Sequence, residues 1–159
     1  MGLRHARDSK RRDRLGFSMI ELIAVAVIIA IMAMMCGPAM SRIVRHSRAN
    51  KAASIIASDL QNAFAVAARQ RQPVRIVADE ATKSYQFTDR KTGAVLRIRT
   101  FYGDTSEYRL TQLRFQPATV DVYPSGVSSA PITIDLANGD YARRITASSA
   151  GFIRLVPRP

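Results

Sequence analysis

Polar and apolar positions along this chain change their period twice. From Leu22 to Met40 nineteen residues pass without a charge. A run of that length suits a bilayer-spanning helix, which takes roughly 20 residues at about 1.5 Å each. Beyond it, apolar positions recur at spacings of three and four: Ile43, Ile56, Leu60, Phe64, Ala67 and Ala68, interleaved with Arg45, Arg48, Lys51, Asp59 and Gln61. That is the period of an amphipathic helix. Alanine is frequent from Ala49 to Ala68, and no glycine or proline intervenes before Pro73. The pattern predicts one long helix from about Phe17 to about Arg71, roughly 80 Å at 1.5 Å per residue. It should be broken or loosened at Gly37-Pro38, where a backbone donor is lost and helix propensity is poor. Its second half is expected to pack an Ile56/Leu60/Phe64 stripe on the segment that follows.

After Pro73 the texture becomes short apolar–polar alternation bounded by turn residues, the mark of antiparallel sheet. Candidate strands are Val74–Ala78, Tyr85–Thr88, Ala94–Thr100, Leu113–Phe115, Thr119–Tyr123, Ile132–Leu136, Arg143–Ala147 and Phe152–Val156. Turns are expected at Lys91-Thr92-Gly93, Tyr102-Gly103-Asp104, Pro124-Ser125-Gly126, Asn138-Gly139-Asp140 and Ala150-Gly151. Asn138-Gly139 is the strongest hairpin signal. No repeat or low-complexity linker appears. The fold class is α+β, a long N-terminal helix packed on a C-terminal antiparallel, sandwich-like β domain.

One residue disturbs the apolar opening of the helix. Glu21 lies in Gly16-Phe17-Ser18-Met19-Ile20-Glu21, behind a leader with six cations, Arg4, Arg7, Lys10, Arg11, Arg12 and Arg14. A carboxylate at membrane depth costs about 2.5–3.5 kcal/mol on insertion scales, so it implies a partner. A secretory signal peptide would have a shorter apolar core and a small-x-small exit, which this run lacks. A plain anchor needs neither Gly16 nor Glu21, and Ala6 stands where myristoylation expects Ser or Thr. The segment closely resembles the type IV prepilin processing signal. That resemblance implies cleavage by prepilin peptidase between Gly16 and Phe17, N-methylation of Phe17, and an assembly role for Glu21 as fifth residue of the mature chain. Its carboxylate would pair with the new Phe17 amine or with that of a neighbour, a contact strengthened by low dielectric. Pro38 also matches the family, which places a helix-loosening proline in this region.

The implied organisation is a leader over 1–16, a transmembrane helix half over 17–40, an amphipathic helix half over 41–72 and a periplasmic β domain over 73–159. The C-terminal half narrows the family. Tyr123-Pro124-Ser125-Gly126-Val127, Ile132-Thr133-Ile134-Asp135-Leu136, and the stretch from Arg143 to Ile153 resemble the closing pattern of the GspH/FimT minor pilins. The likeness covers the helix and roughly residues 120–155, and between Pro73 and Thr119 the sequence looks only like generic β structure. It implies a type IV pilin-like fold and residence in a periplasmic filament built on the bacterial inner membrane.

Charge is +12 over 159 residues. The leader takes six cations and two acids, leaving +8 on the rest. Basic residues flank the apolar run on both sides, so orientation rests on the processing motif rather than on charge asymmetry. Cys36 is the single cysteine and lies within the apolar run, so no intrachain disulfide is expected. His5 and His46 stand apart, and Asp79-Glu80 read as a solvated turn. No nucleotide, hydrolase or metal motif occurs, and the expectation is a non-enzyme without cofactor or metal. Two functions remain. The adopted one is a minor pseudopilin of a type II secretion system, with prepilin peptidase, other pseudopilins, inner-membrane lipid and exported proteins as partners. The alternative is a FimT-like minor pilin that binds DNA for natural transformation. Its candidate contacts are Arg143, Arg144, Arg154 and Arg158, because clustered arginine gives salt-dependent phosphate affinity. Arg97, Arg99, Arg109 and Arg114 fit either function.

Overall fold

The computed structural model describes residues 17–103 and 106–157, and for 35–39 the backbone alone. Helix α1 spans Met19–Gln70. Eight strands follow: β1 Val74–Asp79, β2 Ser84–Asp89, β3 Val95–Thr100, β4 Gln112–Gln116, β5 Thr119–Val122, β6 Ile132–Asn138, β7 Tyr141–Ala147 and β8 Ile153–Pro157. They form two four-stranded sheets, ordered β3-β2-β1-β5 and β4-β6-β7-β8, with every pairing antiparallel. Every predicted strand is present, with ends shifted by one or two residues.

Packing divides the chain between Ala39 and Met40 into two compact units. The backbone of α1 is helical at Gly37 and Pro38, the pair at which the sequence predicts a break or loosening. The helix stops at Arg71, which takes a left-handed φ of 53°, and Pro73 follows. In the first unit the apolar side chains lie open, with Phe17 81% and Met19 84% exposed. Among the described residues no helix is long and apolar enough to cross a membrane. Within the uncharged run the side chains of 35–39 lie outside the described residues.

In the second unit, Ala49, Ala52, Ala53, Ile56, Leu60, Ala63 and Ala67 are buried and form the core with Ile76, Tyr85, Phe87, Leu113, Ile134, Leu136 and Ile145. This stripe differs from the expected one. Ile43 and Ala68 are exposed and Phe64 is only half-buried. Five of the seven helix positions in the core are alanines, whose short side chain lets the sheets approach the helix backbone closely. The β6–β7 hairpin is offset by one residue from its sequence signal. Asn138 pairs with Tyr141 in the ladder, so the two-residue loop is Gly139-Asp140, with Gly139 at a φ of 61°. Asn138 is used elsewhere, its side-chain amide donating to the Tyr108 carbonyl at 2.8 Å.

Candidate functional site

At the N-terminal end of α1 the local chemistry is that of a helix cap. The Glu21 amide donates to Ser18 Oγ at 3.2 Å and to the Ser18 carbonyl at 3.1 Å, and the Leu22 amide donates to that carbonyl at 3.2 Å. Ser18-Met19-Ile20-Glu21 therefore has the spacing of a capping box. An acid in the first turn is also favoured by the helix dipole. This second role for Glu21 was legible as S-x-x-E but is masked in the sequence by the processing motif that overlaps it. Phe17, just outside the helix, and Glu21, in its first turn, are both exposed and four residues apart. Gly16 lies outside the described residues. Gly37 and Pro38 sit inside α1, as given above.

Among the described C-terminal arginines, Arg143, Arg144 and Arg154 do not form one surface. Arg143 and Arg144 are neighbours in β7 and so face opposite sides of the sheet. Arg143 shares the face of Leu136 and turns to the helix, where its Nε donates to Asn50 Oδ1 at 2.7 Å. Its guanidinium also lies 5.5 Å from the Tyr141 ring centroid. Arg144 is directly opposite Asp135 on β6 and grips it with two bonds of 2.7 and 3.1 Å. The Asp135 bond holds the Arg144 guanidinium above its ordinary pKa. Arg154 is exposed on β8 opposite Thr146, on the Arg144 face. Arg158 lies outside the described residues.

A second constellation was not singled out in the sequence. Asp59, expected on the polar face of the helix, is buried at 3% exposure. Arg97 and Arg99 reach it from edge strand β3. Arg99 Nε donates to Oδ2 at 2.6 Å, and Arg97 Nη1 donates to Oδ1 at 3.0 Å. The Tyr85 hydroxyl completes the set, donating to Oδ2 at 2.6 Å. Burial, and then the bond to Asp59, push the Tyr85 pKa well above its usual value. Arg97 and Arg99 sit opposite Phe87 and Tyr85 on the core-facing side of the sheet. Ile98 between them faces the other way and is 66% exposed, the reverse of what apolar–polar alternation in the sequence suggests. On the outer face of the same sheet Arg75 holds Asp121 with bonds of 2.8 and 3.1 Å, and Arg90 approaches it to 3.5 Å. The Arg75 bond draws the Asp121 pKa below the usual carboxylate range. Among the described residues no group of His, Cys, Asp or Glu is placed to hold a metal.

Comparison with known proteins follows the same two parts of the chain. The family model of the prokaryotic N-terminal methylation motif matches residues 11–37. That of the type II transport protein GspH matches residues 52–151. Two crystal structures of the type IV minor pilin FimU of Pseudomonas aeruginosa are similar, with TM-scores of 0.54 and 0.57 at 22% and 23% identity. The matches cover 68% and 70% of this chain and 92% and 90% of the FimU chains. The minor pseudopilin EpsH from the Type 2 Secretion System of Vibrio cholerae gives a TM-score of 0.51 at 22% identity, over 69% of this chain and 97% of that one. At such identities the likeness bears on the fold. No curated protein matches the sequence.

Proposed function

Since this chain belongs to the family of the type II transport protein GspH, whose members are minor pilin-like proteins, we propose that it is a minor pseudopilin of a type II secretion system. It is cut between Gly16 and Phe17, methylated on Phe17, and held in the bacterial inner membrane by one helix with its β domain in the periplasm. From there it enters a short filament with other pseudopilins and contacts exported proteins. The carrying observation is that an N-terminal methylation motif and a GspH domain follow one another in a single chain. The open apolar side chains from Phe17 to Met34 support it, because a surface of this kind calls for lipid or neighbouring helices to cover it.

Glu21 tests the assembly step. With the leader removed, the Phe17 amine is a cation four residues before Glu21, and in a low-dielectric helix bundle its attraction to the carboxylate is several times its value in water. Glu21→Val is expected to leave the amount of chain in the membrane fraction unchanged while its co-isolation with the filament falls by about tenfold or more. Undiminished co-isolation would remove the pairing role.

The DNA-uptake reading is disfavoured by the arginines themselves. Arg144 is neutralised by Asp135, and Arg143 faces the other side of the sheet on Asn50. A titration of the detergent-solubilised chain with duplex DNA is expected to show weak affinity, changed less than about threefold by Arg143→Ala/Arg144→Ala. Tight, steeply salt-dependent binding that the double variant abolishes would move the function to DNA uptake.

A further inference from the structure

The cations of the second unit divide by what holds them. Asp59, Asp121 and Asp135 engage Arg97, Arg99, Arg75, Arg90 and Arg144. Arg42 and Arg45 have no acidic partner among the described residues. They stand one turn apart on α1, and with His46 they occupy positions i, i+3 and i+4, one helix face. The β6–β7 hairpin closes on that face. The Tyr141 ring meets His46 edge-on with centroids 4.0 Å apart. Gly139 comes so near that a Cβ on it would lie 3.2 Å from Arg45 Cδ. Between helix and hairpin is an open groove of about 500 Å³ lined by Arg42, Ile43, Arg45, His46, Asp140 and Tyr141. Asp140 is the acid of that lining, and it makes no ion pair with either arginine.

We propose that this groove binds the phosphodiester headgroup of an anionic phospholipid, with Arg42 and Arg45 on the phosphate oxygens. A guanidinium presents a donor fork that fits phosphate geometry, and two unpartnered forks on one face supply the charge. Position decides the source of the phosphate. Arg42 follows the uncharged run by two residues, so a run lying in the bilayer brings Arg42 to headgroup level. Met40 and Ile43 are 64% and 61% exposed beside the arginines and offer apolar surface to acyl chains. Free phosphate would leave that surface in water. Tyr141 suits the same depth, since aromatic rings with a polar tip concentrate at the membrane interface. The inference rests on the membrane-anchored reading above, and a lipid held here would register the β domain on the membrane surface.

The test is native mass spectrometry of the full chain in neutral detergent, with phosphatidylglycerol and phosphatidylcholine at equal concentration. Phosphatidylglycerol should be retained preferentially. Arg42→Gln/Arg45→Gln should lower that retention by roughly thirtyfold, about fivefold per cation. Arg42→Lys/Arg45→Lys, which keeps both charges, should stay within about fivefold of the parent chain. Equal retention of the two lipids, or unaltered retention in the glutamine variant, overturns the proposal. Displacement of the lipid by inorganic phosphate at similar concentration assigns the groove to free phosphate and overturns the lipid assignment. Carbonate washing of the source membranes separates this site from the anchoring. A chain that stays in washed membranes without preferring phosphatidylglycerol sinks the site alone. Release by the wash overturns the anchoring and the lipid assignment together.

Discussion

Asp59→Ala is expected to lower the unfolding free energy of the Met40–Pro159 unit by about 3 kcal/mol, read from the urea midpoint of the full chain in detergent. The carboxylate is almost fully buried and accepts four bonds, from Tyr85, Arg97 and two nitrogens of Arg99. Removing one partner of a buried pair costs about 3–5 kcal/mol, because the charge left behind has lost its compensation. Here the lower end applies. The side chains of Arg97 and Arg99 are 44% and 30% exposed and recover part of their hydration once released. The Tyr85 hydroxyl has no such escape and is left as a buried donor without its acceptor. A loss under about 1 kcal/mol would mean that the set behaves as an ordinary surface ion pair.

Gly16→Ala is expected to reduce the mature form of the chain by at least about tenfold, seen as the mass of the membrane-fraction product. One added methyl group in a fitted protease pocket costs about tenfold or more. The consequence reaches beyond cleavage. The uncut chain keeps a leader with six cations and two acids, and it never exposes the Phe17 amine that Glu21 is proposed to meet. A normal-sized mature product from the variant would overturn the processing assignment.

These two residues differ in how far they can be read from sequence. Gly16 is legible because a peptidase reads a short contiguous stretch, and its neighbours Phe17 and Glu21 are adjacent in the chain. The helix and the eight strands are legible for a related reason. A period of 3.6 or 2 is a property of a dozen neighbouring residues, and it survives whatever packs against them. Asp59 is the opposite case. Its partners are 26, 38 and 40 residues away, and nothing near Asp59 marks it as different from a solvated acid between Ser58 and Leu60. The Gly37-Pro38 pair is legible in the same local way as Gly16, because a missing donor and a poor helix former are properties of two adjacent residues.

The arginines make the same division. By itself the sequence determined that this is a basic chain with a processing signal, a long helix and an antiparallel sheet domain, because charge and period are sums over neighbours. Which cations remain available was decided only by the tertiary structure. Strand pairing set Arg144 against Asp135 and Arg75 against Asp121, and the fold brought Arg143 to Asn50, 93 residues away. The same pairing left Arg42 and Arg45 facing an open groove. An ion pair forms between groups that come within a few ångströms of each other, and that proximity is settled by register and layer packing rather than by any residue's neighbours in the chain.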